Sequence, residues 1–265
     1  MQSQEADERL NFMVAGAQKA GTTTLDVLLR RHPQIAMATA AGQRPGTRQP
    51  VKETHFFDNE SRDWSSPDYA DLHAYYGAGD DRLWGESTPV TLYWKPAISR
   101  IRAYNPAMRM IVLLRNPIER AFSHWQMDYR NGGEMLSFSQ AIREGRERLA
   151  TKAEKGGLHR TFSYVERGLY AEQLSYLTQY FPREQIHCEI SEEFFANHGP
   201  TLQRIAAFLG VRGFPGRIPF TFAHQGTRGG PEMSPADDDH LRAVFRDDIA
   251  RTEAFLGRTI DAWTR

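Results

Sequence analysis

The chain reads as a doubly wound α/β domain with a P-loop-like parallel sheet flanked by helices, and three observations carry that reading. A short apolar run at 12–16, FMVAG, passes through a glycine-bearing turn into threonines and an amphipathic stretch, the order of strand, tight loop and helix start. A second run at 110–114, MIVLL, is continuous rather than alternating, which suits a strand buried on both faces of a parallel sheet. Strand-like runs then alternate with helical patterns, and neither an internal repeat nor a linker divides the chain. At 265 residues a single large domain, 1–265, is expected.

Taken in order, the first loop is Gly16-Ala17-Gln18-Lys19-Ala20-Gly21. Its glycines let the backbone turn sharply and bring amides close to an anion. Thr22, Thr23 and Thr24 then place hydroxyls at a helix start, where unpaired N–H groups and the helix dipole favour a phosphate. Leu25, Leu28, Leu29 and His32 continue that helix until Pro33 stops it, and a brief strand follows at 35–37. Two glycines, two prolines and two arginines without periodicity make 39–51 a mobile loop. The compact segment 52–58, KETHFFD, comes next. A short helix near 69–76, a strand at 83–86 and a helix over 96–104 lead to the MIVLL strand.

Arg115-Asn116-Pro117 ends that strand, and Pro117 opens a helix reaching 129. A further helix is expected over 138–149. Tyr170, Leu174, Leu177 and Phe181 then share a helical face. A strand at 185–190 and a helix over 201–209 capped by Gly210 follow. The glycine- and proline-rich stretch 213–235 reads as a long loop, and Leu241, Val244, Phe245, Ile249 and Leu256 form the core face of a closing helix.

Composition narrows the function classes. Forty per cent hydrophobic and 25% charged residues are ordinary for a soluble globular protein. A formal net charge of zero gives no global signal for nucleic acid or an anionic membrane. No apolar run is long enough for a membrane span, and the polar, acidic N-terminus is not a secretory signal, so the expected location is the cytoplasm. The single cysteine, Cys188, rules out an intrachain disulfide and is expected to be a buried, inert thiol. The histidines lack metal-ligand spacing, so no metal is expected.

Chemistry concentrates in three places. In the first loop the lysine precedes the second glycine by two residues, whereas GxxxxGK[ST] places it directly after, so an ATP or GTP loop is disfavoured. On residues alone this turn is as easily structural as anion-binding. Arg115, at the end of a buried strand, offers a planar fork for phosphate, and Ser123 adds a hydroxyl eight residues later. The plain alternative is that Arg115 and Arg120 make structural ion pairs. Glu53 beside His55 can act as base or orienter on an acceptor hydroxyl, although Lys52 next to Glu53 also suits a simple surface pair.

These motifs, in this order, resemble the sulfotransferases that use 3′-phosphoadenosine 5′-phosphosulfate, and are most similar to the heparan sulfate sulfotransferase branch. Lys19 to Leu25 fits the 5′-phosphosulfate loop, and Arg115 to Trp125 fits RxPxxRxxSxW. Glu53 to Phe57 fits ExHFF, Glu86-Ser87-Thr88-Pro89 fits EKTP, and Gly168-Leu169-Tyr170, Phe181-Pro182, Phe208 to Val211 and Gly257-Arg258-Thr259 recur downstream. The resemblance implies sulfuryl transfer to a hydroxyl, less readily an amine, of a carbohydrate, lipid or specialised metabolite. By that resemblance Glu53 is the general base with His55 assisting, and Lys19 neutralises the leaving phosphate. Gln18, Ala20, Gly21, Thr22, Thr23 and Thr24 cradle the 5′-phosphate. Arg115 and Ser123 take the 3′-phosphate, and Gly226, Thr227 and Arg228, a loose match to the family's glycine-rich cofactor loop, lie at the 3′-phosphate or the adenine end. On the acceptor side stand Arg44, Arg48, Lys52, Ser87 and Tyr170.

Two departures matter. The second lysine of EKTP is Ser87 here, which leaves Lys52, Arg44 and Arg48 as candidate cations, and the branch's paired C-terminal cysteines are missing. A nucleotide or small-molecule kinase and a non-catalytic nucleotide-binding protein stand as the alternatives, and a homo-oligomer is left open.

Overall fold

The computed structural model describes residues 9–40, 49–151, 160–214, 219 and 231–263. At its centre lies a five-stranded sheet in the order β2-β3-β1-β4-β5. The strands are β1 (Phe12–Gly16), β2 (Ile35–Met37), β3 (Leu83–Ser87), β4 (Arg109–Leu114) and β5 (Ile186–Ile190). All pairings are parallel, and β1 sits in the middle with Phe12 opposite Gly85 on one side and Arg109 on the other. Every residue of β1 is buried, as a continuous apolar run in a two-sided sheet requires.

Helix α1 (Thr22–Leu29) follows β1, α2 (Ala70–His73) and α3 (Lys95–Tyr104) flank β3, and α4 (Pro117–Arg130) follows β4. Asn116 caps α4 by accepting from the amides of Ile118 and Glu119, with Pro117 at a position where its missing N–H costs nothing. The main core packs on the sheet. A second cluster, with Ile118, Trp125, Phe138, Tyr164, Leu241 and Phe245, fills the space beside α4. No helix among the described residues is long and apolar enough to cross a membrane.

Four expectations are corrected. The helix foreseen over 138–149 is broken into α5 (Phe138–Ala141), a 3₁₀ turn at Glu144–Arg146 and α6 (Glu147–Thr151). Tertiary ion pairs override local propensity there: Arg143 reaches Asp237, and Arg148 reaches the buried Glu134 at 2.6 Å. Next, α7 (Tyr170–Thr178) stops before Phe181, which nevertheless stays in the core.

After α8 (Ser191–Ala196) and α9 (His198–Leu209), the closing helix α10 (Pro235–Leu256) buries Asp237, Leu241, Phe245, Asp248 and Thr252, a more polar face than the apolar pattern suggested. The reason is visible at Asp248, whose carboxylate accepts from the Ala171 amide at 3.2 Å and so serves the start of α7 from another helix. Finally, the ends of the 39–51 stretch are pinned rather than loose. Thr39 bridges Pro50 in antiparallel fashion, Ala40 N–H donates to the Gln49 carbonyl at 2.7 Å, and Val51 N–H donates to Ala38 at 3.0 Å. Arg44 and Arg48 lie outside the described residues, as do Gly226, Thr227 and Arg228.

Candidate active site

The carboxyl ends of β1, β3 and β4 converge, which is where open parallel sheets place their ligands. The turn after β1 is built for close approach. Gly21, at φ 91°, occupies the left-handed region, and a Cβ on it would lie 2.6 Å from the Phe195 ring. Gly21 also caps α1 without a side-chain acceptor, its own carbonyl taking the Thr24 and Leu25 amides at 3.0 and 3.2 Å. Lys19 holds φ 70°, an uncommon conformation for a residue with a side chain. The loop is tied down around it: Ser191 Oγ donates to the Ala20 carbonyl at 2.7 Å, and Arg167 donates to the Gln18 side chain. Thr22 and Thr24 are buried and Thr23 is half-buried. A helix start with no side-chain cap and a lysine in the turn before it fit a bound phosphate.

Lys19 Nζ rests 3.7 Å from Met127 Sδ on α4, with burial first and the nearby Arg115 guanidinium second holding its pKa below the usual lysine range. Arg115 donates to the Lys19 carbonyl at 3.2 Å and to Glu119 at 3.4 Å. Glu119, Ser123 and Met127 follow one another at helical i, i+4 spacing, so Ser123 shares the face of α4 that Arg115 and Lys19 touch. The Lys19 turn, Arg115 and the Ser123 face of α4 therefore lie beside one another.

A second cluster sits across from it. Lys52 Nζ bonds Glu53 Oε1, His55 Nε2 lies 3.3 Å from Glu53 Oε2, and His55 Nδ1 lies 2.9 Å from Asp58 Oδ2. His55, at φ 48°, is a second left-handed residue without glycine's freedom, a strain that the two flanking carboxylates hold in place. Burial pushes the Glu53 carboxyl up, but the His55 hydrogen bond and the Lys52 charge outweigh it and hold the pKa at about 2. Hydrogen bonds to Asp58 and Glu53 lift His55 to about 10, against burial. Glu53 is thus ionised and His55 is a cation at neutral pH. The Lys52 charge also adds, after burial and Arg115, to what holds the Lys19 pKa down, so the two clusters lie within electrostatic reach.

Asp58 escaped the sequence reading, although it stands three residues from His55, within reach across a tight turn. Arg160, whose guanidinium lies 3.5 Å from Asp58 Oδ2 and 4.3 Å above the Trp94 ring, and Arg167 also went unseen. No local signal marks either of them. Behind the triad, Glu86 is 1% exposed, takes the Thr54 hydroxyl, and is raised by burial to about 7. Ser87 is fully buried, and its Oγ has no hydrogen-bond partner among the described residues. Tyr170, expected on the acceptor side, is instead in the core, its hydroxyl donating to the Arg115 carbonyl at 2.8 Å.

A helix start without a side-chain cap, a lysine-bearing turn and an arginine at the adjacent strand end are the features by which a parallel α/β sheet can hold a phosphate. The chain belongs to the Sulfotransferase family, which it matches over residues 11–215. Its structure is similar to that of a sulfotransferase from Alicyclobacillus acidocaldarius, with a TM-score of 0.77 and 29% identity over 97% of this chain and 99% of that one. It is 28% identical over 201 residues to human heparan sulfate glucosamine 3-O-sulfotransferase 3B1, covering 76% of this chain and 46% of that relative. The chain therefore spans less than half the length of that curated relative. A mouse sulfotransferase complexed with PAP shares the fold at a TM-score of 0.51 and 13% identity, over 93% of this chain and 86% of that one.

Proposed function

We propose that this chain transfers a sulfuryl group from 3′-phosphoadenosine 5′-phosphosulfate to a hydroxyl of a carbohydrate. The observation that carries the proposal is an ionised carboxylate, Glu53, paired with Lys52, whose charge bears on Lys19 in the turn after β1. The Gln18 to Thr24 loop and α1 amides hold the 5′-phosphate end, and Arg115 with Ser123 the 3′-phosphate. When bound, the phosphosulfate supplies the sulfuryl group and departs as the 3′,5′-bisphosphate.

Glu53 takes the proton of the attacking hydroxyl as the new oxygen–sulfur bond forms. His55 is already a cation between Glu53 and Asp58, so its role is to orient Glu53 rather than to accept the proton. Lys19 and Lys52 meet negative charge that develops on the leaving phosphate and the sulfuryl oxygens, Lys52 standing in for the lysine that Ser87 replaces. The carbohydrate class rests on the heparan sulfate specificity printed in the human relative's name. Cys188, expected to be buried, is half-buried in β5, and desolvation pushes its thiol up to about 12, which fits an unreactive residue; the cytoplasm is the location we propose.

The test has two parts. Calorimetry should show tight binding of the bisphosphate and weak binding of ATP, and ³⁵S-labelled donor should mark saccharides in an acceptor screen. ATP binding as tight as the bisphosphate would favour a kinase instead, and labelling of lipids but not saccharides would move the acceptor class.

A further inference from the structure

Helix α1 carries Thr22, Asp26 and Arg30 at successive i, i+4 positions, Arg30 being its C-terminal cap residue. The stripe begins at the phosphate turn and ends at Arg30, where it leaves the helix. Arg30 Nε donates to Asp26 Oδ2 at 2.7 Å, and Nη2 to Asp26 Oδ1 at 3.3 Å. The same guanidinium donates through Nη1 to the Ala38 carbonyl at 2.8 Å and through Nη2 to the Val51 carbonyl at 2.9 Å.

Those two carbonyls stand on opposite sides of the 41–48 stretch, and Val51 directly precedes Lys52 and Glu53. The end of α1 does not require this: the cap residue's own amide already bonds the carbonyls of Asp26 and Leu28. Asp26 is 3% exposed, and burial raises its pKa against the pull of Arg30 and Lys52. Burying a carboxylate and most of an arginine is costly unless the geometry they fix is needed.

We infer that Arg30, oriented by Asp26, is a positioning residue that fastens the backbone before Lys52 and Glu53 to the phosphate-loop helix. The base and its cation are thereby held at a fixed distance from Lys19. A single helix measures both halves of the site, and a lysine at 30 could keep the Asp26 pair but not span both carbonyls. The inference rests on Glu53 as the base for its catalytic consequence, and on geometry alone for the placement.

His55 reports the placement without any turnover. It is faced by Glu53 and Asp58, with Glu86 and Arg160 behind them, and only the Glu53 contact depends on where residues 52–53 sit. The experiment is an NMR titration of His55 in the wild type, Arg30→Met and Arg30→Lys, alongside bisphosphate calorimetry and turnover on the saccharide from the acceptor screen.

In the wild type His55 should stay protonated to about pH 10. In Arg30→Met its titration should fall towards the ordinary imidazole range and kcat should drop by about 10–100-fold, the scale of an ångström's misplacement. Bisphosphate affinity should hold, and Arg30→Lys, which serves if the methionine variant does not fold, should lie between. An unmoved His55 titration overturns the inference, and so does a loss of bisphosphate affinity equal to the loss of kcat. If the wild type sulfates nothing while the His55 shift appears, the functional reading falls and the placement stands.

Discussion

Glu53 and Glu86 flank Thr54 in space and are driven in opposite directions, one to about 2 by cationic neighbours and the other to about 7 by burial. Such a divergence separates the carboxylate that can take part in proton transfer from the one that cannot reach solvent. Glu53→Gln keeps the shape and removes the basicity, so turnover should fall by roughly 10²–10⁴-fold. Bisphosphate affinity should stay level. A larger loss in His55→Ala than in Glu53→Gln would exchange their roles.

Glu86 bears on stability instead. Its folded pKa lies above the ordinary value of 4.5, so the native state binds the extra proton between the two values. Its contribution is present below pH 4.5 and is lost as pH rises through about 7. Glu86→Gln should therefore flatten the decline of denaturation stability across that window, by an amount on the order of a few kcal/mol at its upper end. An identical slope in the variant would show that Glu86 is already ionised in the folded protein. Lys19, Glu53, Arg115 and Ser123 could be singled out in the sequence because each lies in a local motif. Arg167 was not, since it meets Gln18 across a separation of 149 residues that no spacing rule encodes.

At the scale of elements, the junction of β4 and α4 does the most for the site. Strand β4 delivers Arg115 to the sheet edge, Asn116 and Pro117 start the helix at once, and α4 then turns Glu119, Ser123 and Met127 toward the phosphate turn. The apolar run and the Asn-Pro punctuation predicted this junction nearly to the residue, because backbone chemistry fixes it locally. The broken 138–149 helix shows the opposite case. Its local pattern is helical, but Arg143 and Arg148 answer to Asp237 and Glu134 elsewhere in the chain. Arg115→Ala should cost about 1.5–3 kcal/mol of bisphosphate affinity, the range for charged hydrogen bonds, and Ser123→Ala less. Equal affinity in Arg115→Ala and the wild type would detach the 3′-phosphate from this junction.

Across the whole molecule, 33 basic and 33 acidic side chains cancel, yet they are not evenly mixed. Lys19, Lys52 and Arg115 gather at the phosphate turn, with Arg120 and Arg167 buried behind it. Crowding and burial leave both of those buried guanidinium groups lowered to about 10, burial being the larger cause. A neutral protein with cations gathered at one turn attracts a polyanion at short range. Bisphosphate affinity should therefore weaken several-fold as salt rises from about 0.05 to 0.5 M, where the screening length contracts to a few ångströms. Adenosine, which lacks the phosphates, should show no such dependence, and Arg115→Ala should make the slope for the bisphosphate shallower. Affinity that ignores salt would mean the bisphosphate is held by its base and ribose, and the charge at the turn would then need another partner.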